Sequence, residues 1–173
     1  MTYTINGSYG NGVTVARLGF LLNNEMDDFA AKPGTANMFG LVQGESNAIV
    51  AKKRPLSSMT PTIVLKDGKL YMVIGAPGGG RIITGVTQAV LNVIDFGMNM
   101  QEAIDAARFH HQWQPDVLQM EKGFSPDTTT LLRAKGHEIA PIANVALVES
   151  ILVEGGWLQG ASDGRGHGKA AGY

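Results

Sequence analysis

The 173-residue sequence predicts an α+β fold in which helices pack on antiparallel sheet. Two observations carry that prediction. Helical segments arrive as a block between strands and do not alternate with them one for one, which disfavours a parallel α/β arrangement. Two β-prone apolar runs flank the dipeptide Asp67-Gly68, whose sequence suits a two-residue hairpin turn with positive φ.

Taken in order, residues 2–6 alternate as a strand, residues 7–12 form a Gly- and Asn-rich turn, and residues 13–15 resume strand character. Residues 19–22 form a short apolar run, predicted as a buried strand. It ends in the polar segment Asn23-Asn24-Glu25-Met26-Asp27-Asp28-Phe29. Residues 33–54 are rich in Gly, Asn and Pro without periodicity, and a loop that long is usually functional. The hairpin at 62–66 and 69–74 has continuous apolar runs in both arms, which predicts burial of both faces. After Gly75-Ala76-Pro77-Gly78-Gly79-Gly80, a helix runs from about Arg81 to Asp95, with Ile82, Val86, Ala89, Val90 and Val93 at helical spacing. Gly97 stops it. Asn99 and Glu102 make a capping box for a second helix, residues 117–121 alternate as a strand, and Ser125-Pro126 starts a helix ending near Gly136. A hairpin at 148–153 and 157–160 turns on Glu154-Gly155-Gly156, and a Gly- and Lys-rich tail follows. Without a repeat or a visible boundary, residues 1–173 read as a single domain.

Composition narrows the function. A hydrophobic share of 44% excludes general disorder, and a net charge of −1 argues against a phosphate-backbone binder. The charged share of 17% is below the usual ~25% and suggests that a partner covers part of the surface. Its 23 Gly and 7 Pro exceed the usual combined share of about 12%, which implies many turns. The absence of Cys excludes disulfides, thiolate catalysis and cysteine-bound zinc. No apolar stretch reaches the ~18–20 residues of a membrane span, and the first residues do not resemble a signal peptide.

Four segments carry chemistry. The glycine loop at 75–80 joins a strand to a helix and leaves backbone N–H groups at a positive helix end. It lacks the Lys-Ser/Thr ending of a Walker loop, and the hairpin before it argues against a dinucleotide fingerprint. It suits either an oxyanion hole or a tight structural turn. Glu25 and Asp28, three apart, can converge on one ammonium ion, and a glycosidase pair or a solvated capped turn are the other readings. Ser57 and Ser58 suit a carboxylate, though serine pairs before strands are common. His110 and His111 are adjacent, so they point apart, and packing explains them better than a metal.

Taken together, residues 21–29, 53–62 and 75–83 closely resemble the small subunit of bacterial γ-glutamyltranspeptidases. Ala107-Arg108-Phe109-His110-His111-Gln112-Trp113 and the ending from Gly160 to Tyr173 do so too. The resemblance implies an N-terminal-nucleophile hydrolase, with a four-layer αββα sandwich shared by two subunits cut from one precursor. It implies that Glu25 and Asp28 hold the α-ammonium of a γ-glutamyl group and that Ser57 and Ser58 hold its α-carboxylate. Gly78 and Gly79 match the oxyanion-hole glycines, Asn6 a substrate-contacting asparagine, and Thr4 a threonine whose hydroxyl supports the nucleophile. Residues 33–44 match a lid loop in which Phe39 replaces the tyrosine of many bacterial relatives.

In the family the small subunit begins with the nucleophilic threonine, about a strand before Thr4. Thr2 and Thr4 match later positions, so the chain is expected to lack that nucleophile segment and to be inactive alone. The implied partner is a large subunit that supplies an arginine for the substrate carboxylate. The implied substrates are glutathione or other γ-glutamyl compounds, the implied location is periplasmic or secreted, and no cofactor or metal is required. A cephalosporin-acylase-like hydrolase and a non-catalytic remnant that binds γ-glutamyl compounds or a partner chain are the alternatives. An acyl group without an α-amino acid end would leave Glu25, Asp28, Ser57 and Ser58 unpaired.

Overall fold

Asp67 and Gly68 take φ of 53° and 74°, the left-handed geometry that closes a two-residue hairpin without splaying its arms. In the computed structural model this turn joins β1 (Thr62–Lys66) to β2 (Lys69–Gly75). The closing hairpin supplies β6 (Glu149–Glu154) and β7 (Trp157–Ser162), and the four strands form one antiparallel sheet in the order β1-β2-β6-β7. Between them lie α1 (Ile82–Ile94), α2 (Met100–Asp105), β3 (Phe109–His110), β4 (Leu118–Met120), α3 (Pro126–Ala134) and β5 (Ile139–Pro141). Strands β3, β4 and β5 form a second, small sheet, with β4 and β5 parallel. The result is the mixed α+β fold the sequence predicts.

Residues 3–172 are described. They group into two compact units, Met1–Ser57 and Ser58–Tyr173. The core of the second unit lies between the four-stranded sheet and the helices. Met72, Ile74, Leu152 and Ala161 from the strands meet Ile82, Val86, Ala89 and Val93 of α1 and Met100, Ala103 and Ile104 of α2. Helix α2 begins with a reciprocal capping box between Asn99 and Glu102, and α3 begins at Ser125 with Pro126 in its first turn. Both starts follow from sequence. Sheet and helices thus make one helical layer on one sheet layer, half of an αββα sandwich.

The expectation that the first hairpin is buried on both faces is not met. Met72 and Ile74 are buried, whereas Ile63, Val73 and Ile151, aligned across the other face, are 68%, 39% and 45% exposed. Helices cover one side of the sheet. Among the described residues nothing buries the other.

The first unit departs further from expectation. Thr2 lies outside the described residues, and residues 3–6 are not a strand, because Asn6 takes φ of 70° and its N–H donates to the Thr4 hydroxyl. The strands expected at 13–15 and 19–22 reduce to one bridge, Thr14 to Leu21, with Phe20 51% exposed instead of buried. The unit contains two short 3-10 turns, Glu25–Asp28 and Glu45–Asn47. Its backbone groups are satisfied by turn and loop backbone bonds together with side chains, not by a sheet ladder.

Candidate active site

The polar segment after Leu22 forms the 3-10 turn Glu25–Asp28, which places both carboxylates on one side of a single turn. Burial raises the pKa of Glu25 above its ordinary value, and the neighbouring Asp28 charge and a hydrogen bond to Asp28 add to the effect. Asp28 is also raised, by burial first; the hydrogen bond from Glu25 acts in the opposite direction and the charge of Asp27 adds to the rise. Burial is thus the leading cause for both carboxyls, and the nearby negative charge adds to it. Such a pair suits a cation, since an ammonium group would offset the charge that burial disfavours.

Thr4 and Asn6 are tied to this turn. The Asn6 side chain donates to the Asn24 carbonyl at 3.1 Å, and Asn24 in turn accepts from the Gly7 N–H at 2.7 Å and precedes Glu25 directly. Asn47, which the sequence did not single out, is 3% exposed and holds the other side. Its amide donates to the Asp28 carbonyl at 2.7 Å and contacts the Gln43 side chain, while its oxygen accepts from the Leu56 N–H at 3.0 Å. One buried amide therefore fixes the acidic turn relative to the segment that ends at Ser57.

The stretch at 33–44 is an ordered loop with its own small hairpin. Ala36 bridges Val42, and the Asn37 carboxamide oxygen accepts the N–H groups of Phe39 and Leu41. Asp27 anchors it, accepting from the Met38 N–H and the Asn37 side chain, each at 3.2 Å.

In the second unit, Ser58 lies ahead of β1, and its carbonyl accepts from the Thr60 hydroxyl. The glycine loop leaves β2 and tightens into the 3-10 turn Gly79–Arg81 before α1. Gly78 and Gly79 take φ of 153° and 60°, conformations that L side chains rarely adopt. A Cβ at Gly78 would also lie 3.2 Å from Ala146. Among the described residues neither Gly78 nor Gly79 N–H has a hydrogen-bond acceptor. Two adjacent bare donors at a helix start suit a developing oxyanion.

Behind this turn runs an extended strap, residues 144–148, held by buried charges. Val145 N–H donates to Glu121 at 2.7 Å, the Ala146 carbonyl accepts from Arg108 at 2.9 Å, and Val148 N–H donates to Asp163 at 2.8 Å. Leu147 N–H donates to the Pro77 carbonyl at 3.1 Å, next to Gly78. Arg165 pairs with Glu121 at 2.7 Å and with Asp163 at 3.0 Å, and Arg108 pairs with Asp163 at 2.7 Å. Burial alone would raise the Asp163 pKa, but the Val148 N–H and the two arginines hold it below its ordinary value. The sequence marked Arg108 and Asp163 only within resembling segments and did not mark Glu121.

His110 is packed in the interior. It is 5% exposed, its Nδ1 lies 2.9 Å from the Thr84 hydroxyl, and burial lowers its pKa. Among the described residues no group of three metal-ligating side chains comes together, and no helix is long and apolar enough to cross a membrane.

The γ-glutamyltranspeptidase family model matches residues 1–173. The chain is 57% identical over 95% of its length to the glutathione hydrolase proenzyme of Escherichia coli (strain K12), of which it spans 29%. It superposes on a γ-glutamyltranspeptidase variant from Helicobacter pylori with a TM-score of 0.93 and 51% identity, covering 96% of this chain and 92% of that one. The Pseudomonas nitroreducens γ-glutamyltranspeptidase complexed with L-DON gives the same TM-score at 42% identity, covering 100% of this chain and 92% of that one. The chain thus matches these two solved chains almost end to end while spanning less than a third of the first curated relatives. On this evidence the chain belongs to the γ-glutamyltranspeptidase family.

Proposed function

We propose that this chain is the small-subunit domain of a γ-glutamyl transferase and hydrolase, acting with the remaining part of its proenzyme as a large subunit. The observation that carries the reading is the Glu25–Asp28 pair, two carboxyls on one 3-10 turn whose ionised forms are disfavoured by burial, an arrangement that suits a cation. Glu25 and Asp28 take the α-ammonium of glutathione or another γ-glutamyl compound, and Ser57 and Ser58 take its α-carboxylate. Asn6 contacts the substrate, and the Gly78 and Gly79 N–H groups receive the γ-carbonyl oxygen as it becomes an oxyanion. A threonine hydroxyl preceding Thr4 in the family pattern attacks the γ-carbonyl carbon, and Thr4 supports it. The C–N bond breaks, the amine leaves with a proton, and the resulting ester passes its γ-glutamyl group to water or to an amino acid amine. The reading places the enzyme in the periplasm or outside the cell.

An acylase acting on a group without an α-amino acid end would leave the acidic pair unpaired, so this reading is disfavoured. The test compares γ-glutamyl anilide with an acyl analogue lacking the α-amine, using this chain assembled with the rest of its proenzyme. Asp28→Ala should lose kcat/KM on the γ-glutamyl substrate by roughly 10–150-fold, the equivalent of about 1.5–3 kcal/mol for a charge-assisted contact. The acyl analogue should be far less affected. Equal losses on both substrates would make Asp28 structural.

A further inference from the structure

We infer that Glu121 is a positioning residue for the oxyanion donors, acting through the strap behind the glycine turn. The inference rests on the reading of Gly78 and Gly79 as those donors. Glu121 is 6% exposed and its carboxylate is fully engaged. One oxygen accepts the Val145 N–H at 2.7 Å, and the other accepts the Arg108 N–H at 2.9 Å and the Arg165 guanidinium at 2.7 Å. A buried carboxylate with three donors cannot shift without leaving one of them unsatisfied, so Val145 is fixed in place. A Cβ at Gly78 would meet the Val145 carbonyl at 3.3 Å and the Ala146 Cα at 3.2 Å, which shows how closely the strap limits the turn from behind. The next residue bonds to the Pro77 carbonyl. Moving Val145 therefore moves the peptide planes whose N–H groups face the developing charge. An oxyanion hole works by fixed geometry, so small displacements reduce the rate more than they reduce substrate binding.

Two variants separate this from a role in folding alone. Glu121→Asp keeps the charge for Arg165 and shortens the reach to Val145, whereas Glu121→Gln turns an amide donor toward either the Val145 or the Arg108 N–H. The readout is the ratio of two affinities in the assembled enzyme. One ligand is L-glutamate; the other is a glutamate analogue with a boronic acid at the γ-carbonyl position. Its boron accepts the nucleophile's oxygen and becomes a tetrahedral anion. Positioning predicts that boronate affinity falls about 10–100-fold while glutamate affinity stays within about 3-fold. It also predicts a fall in kcat with little change in KM. Gly78→Ala is the companion measurement. A lower ratio in Gly78→Ala with an unchanged ratio in folded Glu121→Asp overturns the role of Glu121 alone. An unchanged ratio in Gly78→Ala overturns the oxyanion reading and this inference with it. Parallel loss of both ligands in the Glu121 variants makes the residue merely structural.

Discussion

At the scale of single residues, the acidic turn Glu25–Asp28 sets a pH dependence. Glu25 and Asp28 both have raised pKa values, with burial the leading cause for each. A raised carboxyl pKa in the folded chain means that folding favours the protonated form. The pair's contribution to stability is present below the ordinary carboxyl range and is lost as pH rises through the raised values. Ligand binding has the opposite dependence, because an ammonium group needs both carboxylates ionised. Affinity for a γ-glutamyl ligand should therefore fall as pH drops through the raised values, with protons released on binding. Calorimetry of the assembled enzyme at about pH 5, in two buffers of different ionisation enthalpy, measures this release directly. Identical heats in both buffers would contradict proton release on binding, and Glu25→Gln should abolish most of the difference. Glu25 and Asp28 could be read from sequence because their spacing needs only one turn. Asn47 could not, since its value lies in joining the Asp28 carbonyl to Leu56, partners distant in sequence. A single Asn carries no signal of that kind.

Elements show the same division between local and distant causes. The Asp67-Gly68 hairpin, the Asn99 capping box, the periodic stripe of α1 and the Ser125-Pro126 start all follow from residues within one or two turns of each other. Strands β3 and β5, with two and three residues, exist because β4 lies between them, and no local pattern announces them. The 3-10 turn Glu25–Asp28 of the first unit is likewise held by side-chain amides distant in sequence. Helix α1 offers a test of how far packing overrides local preference. Gly85 sits mid-helix, where replacement by Ala ordinarily gains about 1 kcal/mol. Here the new Cβ would lie 2.8 Å from the Ala146 Cβ, an atom with no rotamer to move. The helix or the strap must shift instead. Gly85→Ala should therefore destabilise, by about 1–3 kcal/mol in urea unfolding, and Ala146→Gly in the same chain should recover much of the loss. A stabilised Gly85→Ala variant would show that the contact between α1 and the strap is looser than the geometry indicates.

For the molecule as a whole, the sheet has one face covered by helices and one face open. Ile63, Val73 and Ile151 lie in register across β1, β2 and β6 on the open side, and Leu158 on β7 is 73% exposed. A contiguous apolar surface of this kind is the mark of an interaction face, and among the described residues the outer strand β1 has an unpaired edge that adds to the hazard. Covering each of these side chains is worth up to about 1.5–3 kcal/mol, enough together to drive association. The four-layer sandwich that the resemblance implies would set a second sheet against such a face, and the low charged share of 17% accords with a covered surface. Purified alone, the chain should self-associate at micromolar concentration in sedimentation velocity. The double variant Ile63→Lys, Ile151→Lys places two charges at the centre of the open face and leaves the helix-covered core untouched. It should sediment as a monomer with the circular dichroism of the parent, and it should fail to assemble with the remainder of the proenzyme. Both effects are needed, because a surface that merely aggregates would gain from the lysines without losing its partner. If the parent chain is already monomeric, the open face is not driving association. If the double variant still assembles and turns over γ-glutamyl anilide, the second subunit docks elsewhere.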